Sequence, residues 1–293
     1  MISENSKIEW TDHTFNPWMG CTKVSDGCKN CYAEQMMDKH WGKVKWGPQG
    51  QRVKTSVSKW REPFKWNEIN WMQCERCHWR GAVKDTQLTE GYYHACPECG
   101  NGITIPTRQR VFCASLADVF EDNDQLVEWR FRLFDMIETT PNLDWLLLTK
   151  RPQNVLRMVP QHWLANGAFP KNIWMGTSVE NQRAADERIG YLVQVPAVVK
   201  FLSCEPLLEK VDLDLRGKNY GAGNEFVSWV ICGGESGSHA RPMNPDWVLF
   251  IRDQCVNNDV AFFFKQWGGV NKAKTGRLLS GQEWSQYPVS EVV

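Results

Sequence analysis

Short apolar runs recur along this chain at near-regular intervals, and each ends in polar residues. Residues 110–114 (RVFCA) lead into Ser115 and Asp118, 145–148 (WLLL) into Thr149, Lys150 and Arg151, and 173–176 (IWMG) into Thr177, Ser178 and Glu180. Residues 198–202 (VVKFL) lead into Ser203, Cys204 and Glu205, 229–232 (WVIC) into Gly233, Gly234 and Glu235, and 261–264 (AFFF) into Lys265 and Gln266. Residues 8–15 read as a first strand ahead of them. The runs are too short for helices and too continuously apolar for strands with one wet face. They read as parallel strands buried on both sides.

Helical patterns lie between them. Residues 125–137 carry Leu126, Trp129, Leu133, Phe134 and Ile137 at helical spacing and stop before Pro141. Pro152 opens a short helix, residues 182–193 are amphipathic, and Asn244 caps a helix that Pro245 opens and that runs to about Asn257. The alternation predicts a parallel α/β fold of six or seven units. In a barrel of this kind, the polar residues after the strands mark the face where chemistry is done. Carboxylates follow four of the strands (Asp118, Glu180, Glu205, Glu235), more than loop starts alone account for.

The chain has 11 cysteines, an odd number. No apolar run approaches the roughly 20 residues of a membrane helix, and the polar start is no signal peptide. A cytoplasmic protein with no membrane partner is expected, and in a reducing compartment clustered cysteines more often bind metal. Cys74, Cys77, Cys96 and Cys99 read C-x2-C, an 18-residue spacer, C-x2-C. That spacing predicts a zinc ribbon, with four thiolates closing a structural Zn2+ site. Hydrophobic periodicity is poor around it, so residues 71–103 read as an insertion into a barrel made of 1–70 and 104–269, and 270–293 as a polar tail. The other cluster, Cys21, Cys28 and Cys31, has three members. Three thiolates leave one position open, which suits either an open zinc site or a [4Fe–4S] cluster with one bare iron.

Lysine plus arginine and aspartate plus glutamate are both 34, so the overall field offers no case for nucleic acid. One segment does. Residues 39–66 hold six lysines and two arginines against a single acid, Glu62, with Trp41, Trp46, Trp60 and Trp66 interleaved. Basic side chains hold phosphates and aromatic rings stack on unpaired or flipped bases. DNA or RNA is therefore an expected partner, through this segment and the ribbon, the alternative being a solvated loop whose tryptophans pack on the barrel.

The stretches WTDHTFNPWMGC (10–21), CKNCYAE (28–34), SLADVF (115–120), LTKRP (148–152), GTSVEN (176–181), SCEPL (203–207) and GGESG (233–237) carry a family likeness. With them the chain resembles a phage-associated, radical-SAM-like family of bacteriophage proteins with a three-cysteine motif, here with an inserted zinc ribbon. The resemblance implies a partial or near-complete (β/α) barrel of the radical SAM type. It also implies a [4Fe–4S] cluster on Cys21, Cys28 and Cys31, with S-adenosylmethionine on its open iron. An electron donor protein would feed the cluster, and a 5′-deoxyadenosyl radical would attack the substrate. Two departures stand out. The spacing is C-x6-C-x2-C rather than C-x3-C-x2-C, and the Gly-Gly-Glu sequence ending at Glu235 comes several strands late.

Ser115 and Asp118 therefore take the amino-group role, with Glu235 next in line. Lys150 and Arg151 suit a carboxylate or phosphate, and Ser178, Glu180 and Asn181 suit ribose hydroxyls or the cap of the next helix. Tyr32 suits the adenine face or, equally, helix packing. Cys204, beside Glu205, is a candidate hydrogen-atom donor, although a buried structural thiol is the favoured reading. The expected reaction is modification or repair of a nucleic-acid base. Two other classes remain: a glycosidase-like barrel using two of Glu180, Glu205 and Glu235, and a non-catalytic zinc-dependent nucleic-acid-binding protein.

Overall fold

Seven of the apolar runs lie side by side in one parallel sheet. They are β1 (His13–Phe15), β2 (Gln109–Cys113), β3 (Leu143–Thr149), β4 (Ile173–Ser178), β5 (Val199–Cys204), β6 (Trp229–Gly233) and β7 (Ala261–Gln266), in that order. Each pairs in parallel with the next. This computed structural model describes residues 6, 8–88, 94–100, 102–165, 167–217, 227–270 and 275–288. Trp10 precedes the first strand and Trp229 opens the sixth, yet their rings are 6.0 Å apart. The sheet therefore curls into a half-barrel, and among the described residues no pairing joins β1 to β7.

Alternation along the strands sorts the side chains. Phe112, Leu146, Trp174, Phe201, Trp229 and Phe263 fill the concave face. Their neighbours Val111, Trp145, Met175, Leu202, Val230 and Phe262 pack outward. Both faces are dry, which is why the runs are continuously apolar. Three twelve-residue helices, α1 (Val127–Glu138), α2 (Gln182–Val193) and α3 (Pro245–Val256), bring Leu133, Ile189 and Ile251 to the outer core. Asn181 and Asn244 cap α2 and α3 through hydrogen bonds from Ala184 N and Asp246 N. A 3-10 turn at Asp124–Leu126, capped by Asn123, takes up the first residues of the pattern predicted for α1.

The described part of the tail is not loose. Phe264 N donates to Trp284 O and Gln286 N to Phe262 O, so this segment straps the outer edge of β7. That covers an otherwise open edge strand. Tyr287 closes the floor of the concave face, 5.4 Å from Trp229 and 5.6 Å from Phe263, with Arg110 stacked on it at 3.8 Å. The strap works through backbone bonds, the Gln286 side chain and the rings of Trp284 and Tyr287, so it leaves no periodicity in the sequence. Residues 271–274 and 289–293 of the expected tail lie outside the described residues.

The insertion forms a three-stranded antiparallel sheet from Arg80–Ala82, Trp71–Cys74 and Thr104–Thr107. It therefore extends to Thr107, past the expected boundary at 103; its residues 89–93 and 101 lie outside the described residues. Arg80 anchors it, donating to Asp12 Oδ2 at 3.1 Å and to Arg108 O at 2.6 Å. Asp12 also accepts from Arg110 N, at the start of β2. The insertion thus sits at the N-terminal ends of the strands. The polar residues gather at the other end, about 15 Å away at the rise of an extended strand. Among the described residues no helix is long and apolar enough to cross a membrane.

Candidate functional site

The C-terminal ends of β2, β3 and β4 and the loop carrying the first three cysteines enclose a cavity of about 160 Å³. Cys21, Cys28 and Cys31 all line it. Facing them are Ser115, Asp118, Lys150, Arg151 and Ser178, and Phe112, Leu148 and Trp46 supply apolar wall.

The cysteine loop is held by side chains from distant strands. Thr22 O accepts from Arg151 Nη2 at 2.7 Å and Thr22 Oγ1 from Arg52 Nη2 at 2.9 Å. Gly27 N donates to Glu180 Oε1 at 3.3 Å. Asn30 Nδ2 donates to Glu235 Oε2 at 2.9 Å and to His239 O at 2.8 Å. Arg241 Nη2 reaches Asp26 O at 3.1 Å. Gly27 lies so close to Glu180 that a Cβ there would stand 2.9 Å from its Cδ.

These bonds change the reading of the strand-end carboxylates, which are turned to the protein. Asp118 accepts from Thr149 Oγ1, Phe120 N, Lys150 N and Arg151 Nη1 at 2.7–3.1 Å. A carboxylate has about four acceptor sites, so none is left for a ligand's ammonium group. Glu180 is fully buried and paired with Arg188 Nη1 at 2.8 Å. Burial pushes its carboxyl up, but the Lys150 and Arg188 charges more than offset this and hold it below its ordinary value. Glu235 is paired with Arg241 at 2.6 Å, and hydrogen bonds from Arg241 and Asn30 likewise outweigh burial and hold it low. Glu205 pairs with Lys265 Nζ at 3.0 Å and does not line the cavity. The assigned roles of Asp118, Glu180 and Glu235 as cofactor ligands thus give way to roles in bracing the site.

Tyr32 is 62% exposed, does not line the cavity, and donates to Met36 Sδ at 3.4 Å. Cys204 is fully buried, on the outward face of β5 with Cys232 and Cys255 in the same apolar cluster. Burial pushes its thiol well up. Its side of the strand is the wrong one for a hydrogen donor to the cavity. Ser115, Lys150 and Ser178 line the cavity. Lys150 Nζ donates to Ser178 Oγ at 2.9 Å and, among the described residues, forms no ion pair.

The two cysteine sets differ in geometry. In the insertion, Cys74 and Cys99 Sγ are 3.7 Å apart, Cys77 and Cys96 Sγ 3.5 Å, and all four lie within 4.8 Å of one another. A tetrahedral shell with Zn–S near 2.3 Å puts sulfurs about 3.8 Å apart, so the cluster is compatible with zinc. The amides of Arg76 and Cys77 donate to Cys74 Sγ at 3.4 and 3.5 Å. Burial pushes this thiol up, but these donors prevail and bring it to about 7. Gly102 is required here, because a Cβ would fall 2.3 Å from Cys74 Sγ. Among the described residues the first three cysteines are not gathered to this spacing, although they share one cavity. Cys21 is pushed up to about 12, by burial first and the Asp118 charge second, with Arg151 opposing. Burial also raises Cys31.

The basic segment divides. Arg52 is buried and grips Glu121 through Nε at 2.8 Å and Nη2 at 2.6 Å. Trp66 stacks on His13 at 4.2 Å, and Trp60 Nε1 donates to Pro17 O. These residues are structural. Trp46 reaches the cavity, and Trp41 is 49% exposed with Lys43 Nζ 4.9 Å above its ring. The insertion carries Arg76, Arg80 and Lys84 against Glu75, Asp85, Glu90 and Glu98, three positive charges against four negative. It therefore has no excess charge for phosphates.

Sequence reasoning missed the contact of Arg151 with Cys21 and the bracing by Asn30, Arg188 and Arg241. Asn30 lies inside the cysteine motif itself, but its partner is 205 residues away, and no local pattern reports that. A family model described as a protein of unknown function (DUF5131) matches residues 5–288. No curated protein and no solved structure matches the chain.

Proposed function

The chain belongs to the DUF5131 family, and we propose that it is a radical S-adenosylmethionine enzyme, in keeping with its likeness to phage-associated radical-SAM-like proteins. The observation that carries this reading is the sharing of one cavity by Cys21, Cys28 and Cys31 on a loop braced from several strands. Three cysteine ligands leave one iron of a [4Fe–4S] cluster free of protein. When bound, such a cluster supplies the electron that splits the carbon–sulfur bond of the sulfonium, chemistry that belongs to the cofactor.

The chain's own part is placement. Lys150, held toward Ser178 and within the field of Glu180 but in no direct ion pair among the described residues, offers its cation to the cofactor's carboxylate. Ser115, bonded to Asn16, offers a hydroxyl beside it. Phe112, Leu148 and Trp46 give part of the cavity an apolar wall. The substrate in this reading is a nucleic-acid base, for which Trp46 at the cavity wall offers an aromatic face and the exposed Trp41–Lys43 pair offers stacking and charge on the same segment. The insertion lies at the opposite end of the strands and plays a structural role. A cytoplasmic location and a separate electron donor protein belong to the same proposal. A glycosidase-like reaction is less well supported, since Glu180, Glu205 and Glu235 are each held by a cation.

Anaerobic purification and reconstitution test the proposal. Brown protein with about four irons per chain is expected, lost on changing Cys21, Cys28 or Cys31 to Ala while zinc is kept. A colourless, zinc-only protein would overturn it.

A further inference from the structure

We infer that Arg151 is a positioning residue that fixes Cys21 and raises the reduction potential of the cluster; the inference rests on the cluster assignment above. Arg151 lies two residues beyond Thr149, the last residue of β3, and is 7% exposed. Its Nη1 donates to Cys21 Sγ at 3.6 Å and to Asp118 Oδ2 at 2.8 Å, and its Nη2 donates to Thr22 O at 2.7 Å. Glu121 Oε1 lies 3.9 Å away and is gripped in turn by Arg52, which also holds Thr22 Oγ1. Arg52, Glu121, Arg151 and Asp118 thus alternate in a buried row whose second arginine also reaches one cysteine sulfur. Among the described residues, no side-chain cation donates to Cys28 or Cys31 Sγ within hydrogen-bond distance, so the arrangement is specific to Cys21.

Hydrogen bonds to ligand sulfurs and nearby charge are main determinants of iron–sulfur potentials. Reduction adds an electron beside Cys21. A guanidinium at its sulfur, in a site largely shielded from water, stabilises that extra charge and makes reduction easier. Asp118 opposes this from the far side of the same guanidinium. Substitutions at the two positions should therefore shift the potential in opposite directions. A purely structural salt bridge predicts no such opposition.

The test is an EPR-monitored redox titration of the reconstituted full chain and three variants. Arg151→Met should lower the midpoint potential and Asp118→Asn should raise it. Arg151→Lys keeps the charge but not the fork to Thr22, and should stay closer to wild type than the Met variant. If the Met variant loads no cluster, the Asp118→Asn and Arg151→Lys proteins decide by the same signs. A loaded wild type whose variants all share its potential, or shift the same way, would overturn the inference alone. A wild type that takes no cluster would overturn the reading of the site and this inference with it.

Discussion

Gly27 donates its backbone amide to Glu180 across 153 residues of sequence, and so ties the three-cysteine loop to the end of β4. The contact leaves no room for a side chain, because a Cβ at Gly27 would stand 2.9 Å from Glu180 Cδ. Gly27→Ala must push the loop or the buried carboxylate aside. Overpacking of this kind costs about 1–3 kcal/mol. We expect a fall of several degrees in the melting midpoint, together with weaker iron loading. A variant matching wild type in both would show that the loop is not braced from this strand.

Acid should loosen the same braces. Glu180 and Glu235 are both held below their ordinary value of 4.5 in the folded protein. Their stabilising share is therefore fully present above that value and is lost as pH falls through the lowered folded values. Urea unfolding midpoints should fall steeply on acidification below about pH 4.5. Glu180→Gln should be less stable at neutral pH, having left Arg188 buried without its anion, and should lose less on acidification. An acid limb as steep in the variant as in wild type would assign the loss to other groups.

Cys204 serves as a control on the direction of the chemistry. It packs among outward-facing residues with Cys232 and Cys255, behind the sheet from the cavity. Cys204→Ala should cost about 1–2 kcal/mol in stability and leave cofactor cleavage in place. Loss of turnover from a folded, iron-loaded variant would place the thiol in the reaction after all.

The insertion should be separable from the half-barrel, provided the cut respects its third strand. Replacing residues 71–107, rather than 71–103, by a short Gly/Ser linker removes all three strands and the four sulfurs together. The product should retain iron and lose its single zinc. Insoluble protein would show that the Arg80–Asp12 anchor is needed for the half-barrel to close on itself.

The strands and the three long helices were legible in the sequence because burial on both faces of a parallel sheet writes unbroken apolar runs. The four-cysteine site was legible because its ligands are two tight pairs. Residue type alone singled out Cys21, Cys28, Cys31 and Lys150, which the fold brings to one cavity. What stayed hidden depends on partners far apart in the chain. Asp118, Glu180 and Glu235 read as ligands because the arginines that fill them, Arg151, Arg188 and Arg241, carry no pattern that names their acids. The side of β5 on which Cys204 lies followed only once Phe201 was seen to face inward. The strap ending in Tyr287 acts through backbone bonds along β7, which composition does not report.

The most direct test of the central claim is reductive cleavage of S-adenosylmethionine by the reconstituted protein under anaerobic conditions, followed as 5′-deoxyadenosine by chromatography. The account predicts slow, dithionite-dependent release even without substrate. It also predicts none from a Cys28→Ala protein, and about 10- to 100-fold weaker cofactor binding in Lys150→Met, the range for one charge-assisted hydrogen bond. An iron-loaded wild type that neither binds nor cleaves S-adenosylmethionine would contradict it.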